Sequence, residues 1–226
     1  MSDHPILMSG EMVRATLEDL KTMTRRVVRN PERLEGLMLK GEEPDWCPYG
    51  VPGDRLWVRE THAILWARVF EPVFRPKEHD FQAGHYILAY RADGATSTGF
   101  PLNGEHRWRP SIHMPKWACR LRLEVKDVRV ERVQDITTEG IWAEGIQIPV
   151  SDGGVLWRMA PSNPAGNVPA SYLTPGRLHP DQPPVTTDEV ARAHFADLWD
   201  KLNSHRGYTW ESNPWVWVIK YERVGP

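Results

Sequence analysis

The run Trp215-Val216-Trp217-Val218-Ile219-Lys220-Tyr221 sets the tightest limit on how this chain can fold. Its first five residues are all aromatic or β-branched, so they have no polar face to offer water and read as a strand covered on both sides. A strand of that kind needs neighbours, and the sequence supplies them. Ile6-Leu7-Met8, Arg55 to Thr61 and Tyr86 to Arg91 read as strands bounded by turn residues. Cys119, Leu121, Leu123 and Val125 alternate with Arg120, Arg122 and Glu124, which is the pattern of a strand with one face in the core. Asp127 interrupts this pattern, and Val128 and Val130 resume it as far as Val133.

Helices are fewer. Ser9-Gly10 precedes Met12, Val13, Leu17 and Leu20 at helical spacing, which carries a helix to Lys21. Ile136 to Glu139 opens a short helix with a threonine N-cap, ended by Gly145. Thr186-Thr187-Asp188-Glu189 is a capping box before the apolar stripe Val190, Ala191, Phe195, Leu198, Trp199 and Leu202. Residues 30–46 and 63–84 lack a clear period, and 149–184 holds eight prolines. These three stretches read as insertions. The resulting expectation is an α+β chain, a small mixed β-barrel with peripheral helices and long loop insertions, formed by residues 1–226 as a single domain.

Composition narrows the function classes. A formal net charge of −2 over 226 residues excludes a globally basic nucleic-acid binder, so any attraction to phosphates must be local. Locality exists: residues 107–132 contain eight Lys or Arg against three acids. Eleven tryptophans supply either core or stacking platforms. Cys47 and Cys119 stand far apart with no CxxC and no histidine pair, so neither a disulfide framework, a metal site nor a cofactor is expected, and a reducing cytoplasm fits. No apolar run approaches the roughly 20 residues that span a bilayer, and the stretch from Met1-Ser2-Asp3-His4 lacks a basic region followed by an apolar segment, so membrane partners are not expected.

The densest chemistry lies at Lys21-Thr22-Met23-Thr24-Arg25-Arg26, where the first helical pattern gives way to a β-branched run. Lys21, Arg25, Arg26 and Arg29 fall within nine residues that contain no acid. Such a cluster is either a phosphate-binding or nucleophile-bearing site, or a basic strand edge that prevents unwanted pairing. Arg59, Arg25 and Arg26 are candidate partners for an anionic ligand, with the Thr22 hydroxyl beside them, and Arg25 or Arg26 can equally pair with Glu60 inside the fold. Trp108, His113 and Trp117 share a proline-marked loop and can stack a base, whereas Trp57, Trp215 and Trp217 read as core.

Four motifs taken in order carry a resemblance. Leu20 to Arg26, then Gly53-Asp54-Arg55-Leu56-Trp57-Val58-Arg59-Glu60, then Asp135-Ile136 with Glu144-Gly145, and finally Asn213-Pro214-Trp215-Val216-Trp217-Val218 together resemble the ASCH family of PUA-like β-barrel domains, bacteriophage and prophage members above all. The resemblance implies a cleft that recognises RNA, DNA or a modified nucleobase. It also implies an alternative, since one branch hydrolyses N4-acetylcytidine with a lysine, a threonine and a glutamate. Those residues fall on Lys21, Thr24 and Glu144 of this chain. In that reading Thr24 is the nucleophile, Lys21 its base when neutral, and Glu144 orients the lysine or shuttles the proton. On a regular strand residues three apart face opposite ways, so Lys21 and Thr24 converge only if the helix ends before the strand begins. A third reading makes 149–184 a protein-interaction segment.

Overall fold

The computed structural model describes residues 1–39, 44, 46–66, 86–94, 108–146, 148–149, 155–156 and 187–224. Thr186, the first residue of the expected capping box, and most of the 63–84 and 149–184 insertions lie outside the described residues. The chain divides into two units. One comprises Met1–Asp19, Trp46–Asp127 and Tyr221–Pro226, the other Leu20–Asp45 and Val128–Lys220.

The chain opens with β1 (Asp3–Leu7) and α1 (Gly10–Leu17). Ser9 caps α1 by accepting a hydrogen bond from the Met12 amide at 3.3 Å. The helix stops at Leu17, earlier than the expected Lys21, and Asp19 turns the chain with φ 57°. Strand β2 (Met23–Val27) follows. Residues 30–46 are not simply a loop, because α2 (Pro31–Met38) begins there. Its proline occupies the first turn, where a missing N–H costs nothing, and Leu34 is its buried anchor.

Next come β3 (Arg55–Arg59), β4 (His62–Trp66), β5 (Tyr86–Tyr90) and single 3-10 turns at Arg91–Asp93, Ser111–His113 and Lys116–Ala118. Strand β6 (Arg122–Arg132) runs without a break through Asp127, because a lone aspartate can face outward from a strand whose ladder continues on both sides. After a 3-10 turn at Val133–Asp135 comes α3 (Thr138–Ala143), capped by Thr137, whose hydroxyl accepts from the Gly140 amide at 3.1 Å. Gly145 ends this segment with φ 75°. The chain completes with β7 (Ile148–Pro149), β8 (Val155–Leu156), α4 (Thr187–Asn203) and β9 (Trp215–Val224).

Five strands form one mixed sheet in the order β1-β3-β6-β9-β2. β1 lies parallel to β3, while β3 pairs antiparallel with β6 and β2 with β9. β9 sits between β6 and β2, and Val216, Trp217, Val218 and Ile219 are buried, as the apolar run demands. The fold is therefore α+β with few helices. The expected barrel is not closed: among the described residues no pairing joins β1 to β2, and β4 and β5 pair with each other instead of extending the sheet.

In the first unit, Ile6, Leu56, Val58, Leu123 and Val125 point inward from β1, β3 and β6. In the second, Val133, Ile136, Ile141, Ala191, Phe195, Trp199, Val216 and Val218 form one cluster between α3, α4 and β9. Trp217 is core, but Trp57 and Trp215 are half-buried. A cation flanks each of them, Arg59 over the Trp57 ring at 5.2 Å and Arg132 over the Trp215 ring at 4.1 Å. No helix among the described residues is long and apolar enough to cross a membrane.

Candidate functional site

The second unit brings Lys21, Thr24, Arg25 and Glu144 into one buried neighbourhood. Lys21 lies between α1 and β2, where its backbone bridges that of Glu144 in antiparallel fashion and the next amide, Thr22 N, donates to Ala143 O at 2.9 Å. Glu144 follows α3 directly, so the threonine cap and Gly145 set its position. The Lys21 side chain curls back along β2. Its Nζ donates to Met23 O at 2.9 Å, to Glu144 O at 3.0 Å and to Glu144 Oε2 at 2.5 Å. An ammonium has three protons, and these are three acceptors.

Arg25 completes the cluster. Its Nη1 donates to the other Glu144 oxygen, Oε1, at 3.2 Å, and its Nε donates to Glu131 Oε1 at 2.8 Å. The side chains of Lys21, Arg25, Glu144 and Glu131 are only 1 %, 2 %, 9 % and 15 % exposed. Breaking such a network leaves an uncompensated buried charge. Burial pushes the Lys21 amine below its ordinary value, the Glu144 carboxylate opposes this, and the Arg26 and Arg25 charges add to the lowering.

Thr24, on β2 opposite Ile219, is also buried, yet Lys21 makes none of its three hydrogen bonds to it. As the structure stands, the lysine serves the glutamate rather than the threonine. Thr22 and Arg26 flank the cluster and are half-buried.

The remaining candidates belong to the first unit. Glu60 does not pair with Arg25 or Arg26. It is held by Arg120, whose Nε and Nη2 reach its two oxygens at 2.9 and 3.0 Å. Arg120 also grips Asp93 with two bonds of 2.6 Å and stacks on Tyr90 at 4.0 Å. Burial raises Glu60 above the usual carboxylate range although Arg120 works against it. Arg59 donates to the Ile112 carbonyl. Trp108 and Trp117 are half-buried and His113 is exposed.

Several partners escaped sequence reasoning. Glu131 and Arg120 stand on or beside β6 in the alternating charged pattern, and that pattern marks an outward face without naming partners. His62 is fully buried, with Nδ1 3.2 Å from Glu60 O and no partner for Nε2 among the described residues. A cleft of about 300 Å³ in the first unit is lined by Ser9, Arg14, Thr61 and Arg91 among others, none of them a candidate from sequence. Among the described residues no group of three or more His, Cys, Asp or Glu is arranged to hold a metal. Compared with known proteins, the chain matches no family model, no curated protein and no solved structure.

Proposed function

We propose that the second unit recognises a modified nucleobase and hydrolyses an acyl group from its exocyclic amine, with N4-acetylcytidine as the model substrate. The observation that carries this reading is the 2.5 Å contact between Lys21 Nζ and Glu144 Oε2, buried, with the Thr24 hydroxyl three residues along the same segment. A buried ionisable pair whose lysine is shifted toward the neutral form is the kind of feature that clusters at reactive sites. The resemblance to ASCH proteins supports the assignment, and the finer fold reading that goes with it is a PUA-like barrel.

In the reaction, Thr24 Oγ attacks the acyl carbon while Lys21, as the neutral amine, takes the hydroxyl proton. Glu144 holds the lysine and relays the proton to the leaving cytosine amine as the C–N bond breaks. Water then hydrolyses the threonine ester, which releases acetate and restores the hydroxyl. For this the Lys21 side chain must turn from Met23 O toward Thr24, a tightening that catalytic contacts commonly show only with substrate bound.

A second reading, recognition of RNA, DNA or a nucleoside without turnover, draws on one observation. Lys21 Nζ meets three acceptors, Met23 O, Glu144 O and Glu144 Oε2, and the Thr24 hydroxyl is not among them. Incubation with N4-acetylcytidine and chromatographic detection of cytidine separates the two. Release that disappears in Thr24→Ala and Lys21→Ala supports hydrolysis. No release, together with affinity for single-stranded RNA or DNA that falls steeply with salt, supports recognition alone.

A further inference from the structure

The Lys21 and Glu144 side chains can share their proton in two ways, as ammonium with carboxylate or as amine with carboxylic acid. Removing both groups from water favours the neutral form, because burial penalises each charge. Met23 O and Glu144 O, which accept from Nζ, suit either form, because an amine keeps two N–H donors for them. One feature opposes the neutral form. Arg25 touches the carboxylate itself, through Nη1 on Oε1 at 3.2 Å, while it makes no hydrogen bond to Lys21. A positive charge in contact with the carboxylate penalises transfer of the proton onto it.

The guanidinium is held on two further sides. Its Nη2 lies 2.7 Å from Glu131 Oε1, and Glu131 in turn meets Arg129 at 3.4 Å. On the flank of α3 it passes the bare α-carbon of Gly140, where a Cβ would stand 2.9 Å from Nη2. Gly140 also accepts the Glu144 amide at 3.1 Å, so the same short helix places both the glutamate and the gap for the arginine.

We propose that Arg25 is a positioning residue that, threaded past Gly140 and anchored on Glu131, keeps the shared proton of the Lys21–Glu144 pair on the lysine nitrogen. The charged groups around the pair are Arg25 and Arg26 from β2 and Glu131 from β6, with Arg129 behind Glu131. Arg26 and Arg25 both disfavour the charge on the lysine, but Arg25 also binds the carboxylate and is the group that selects the ion-pair form. The consequence for catalysis rests on the deacylation reading. Thr24 needs a neutral Lys21, so the form that Arg25 selects is the resting one, and the proton must leave the lysine before attack.

The test needs no substrate. In the full chain labelled at lysine Nζ and at the glutamate carboxyl carbons, nuclear magnetic resonance at neutral pH reads the two groups directly, with Lys21→Met and Glu144→Gln identifying their signals. The wild type is expected to show an ammonium and a carboxylate. Arg25→Gln moves the Glu144 carbon toward the position of an acid and the Lys21 nitrogen toward that of an amine, and Arg25→Lys restores most of the wild-type positions. Gly140→Ala retains every charged group and crowds the guanidinium at 2.9 Å more than Ile136 Cγ1 at 3.2 Å, so it shifts both signals in the same direction even if Arg25→Gln fails to fold. A neutral pair in the wild type, or wild-type signals in folded Arg25→Gln or Gly140→Ala, overturns the proposal. Absence of N4-acetylcytidine turnover with these shifts present overturns the deacylation reading and leaves the proton assignment standing.

Discussion

Lys21 Nζ sits 2.5 Å from Glu144 Oε2 and 3.0 Å from the backbone carbonyl of the same residue, so one lysine satisfies both the side chain and the main chain of its partner. Replacing Lys21 with Met removes the cation and leaves the carboxylate buried with Arg25 as its remaining partner. We expect a loss of about 3–5 kcal/mol, measured by urea unfolding. Lys21→Met with Glu144→Gln should recover at least half of that loss, because neither charge is then stranded. A double variant as unstable as the single would show that the pair itself contributes little.

Thr24→Ala separates chemistry from folding. The side chain is buried on β2 but small, so the expected stability cost is only about 1 kcal/mol. If Thr24 is the nucleophile, cytidine release from N4-acetylcytidine falls by roughly a hundredfold or more. Retained turnover in a folded Thr24→Ala protein would transfer the nucleophile's role elsewhere.

Two glycines in one turn make a paired control. Gly50 has φ +89°, and a Cβ there would come within 2.8 Å of His4 Cδ2 and 2.9 Å of Asp54 Oδ2. Asp54 ties this turn to the first residues of the chain, accepting from Ser2 N at 2.6 Å and Val51 N at 3.2 Å, and these bonds hold its carboxyl below the usual carboxylate range. Gly53 has φ +91° with nothing within 4 Å of its added Cβ. Gly53→Ala should cost about 1–2 kcal/mol from left-handed backbone strain alone. Gly50→Ala should cost about 1–3 kcal/mol more, since strain and crowding act together. Thermal unfolding of the two variants side by side checks the ordering.

His62 predicts an acid sensitivity. Burial lowers its basicity, the Glu60 carbonyl opposes this, and Arg109, His113 and Arg59 add to the lowering. The unfolded chain therefore takes up this proton at about pH 6.5, before the native protein does. Stability from this residue is present above that pH and is lost as pH falls through the lowered native value. As pH falls from about 7.5 to about 4.5 the wild type should lose stability relative to His62→Phe, read from urea midpoints across that range. Parallel pH dependence in the two proteins would remove His62 as the cause.

Local signals in the sequence carried most of the elements. Five apolar residues from Trp215 were enough to put β9 inside a sheet, because no other arrangement covers both their faces. Ser9 and Thr137 marked helix starts, because a hydroxyl there satisfies an amide only a few residues away. Residues 30–46 misled because they show no clear period, and the helix that begins at Pro31 is anchored by the packing of Leu34 instead.

Pairing was another matter. Residue order concentrates Lys21, Arg25 and Arg26 where a helix gives way to a strand, and it marks Glu60 and Glu144 as candidate acids. It left open which cation meets which carboxylate, as charge alone makes every combination attractive. Tertiary structure decided it through backbone placement. The Lys21 bridge to Glu144, the bare flank of Gly140 and the β6 position of Glu131 bring Lys21, Arg25 and Glu144 together, while Glu60 goes to Arg120. Those contacts join residues more than a hundred positions apart in the second unit and sixty apart in the first, a separation that no local pattern of spacing encodes.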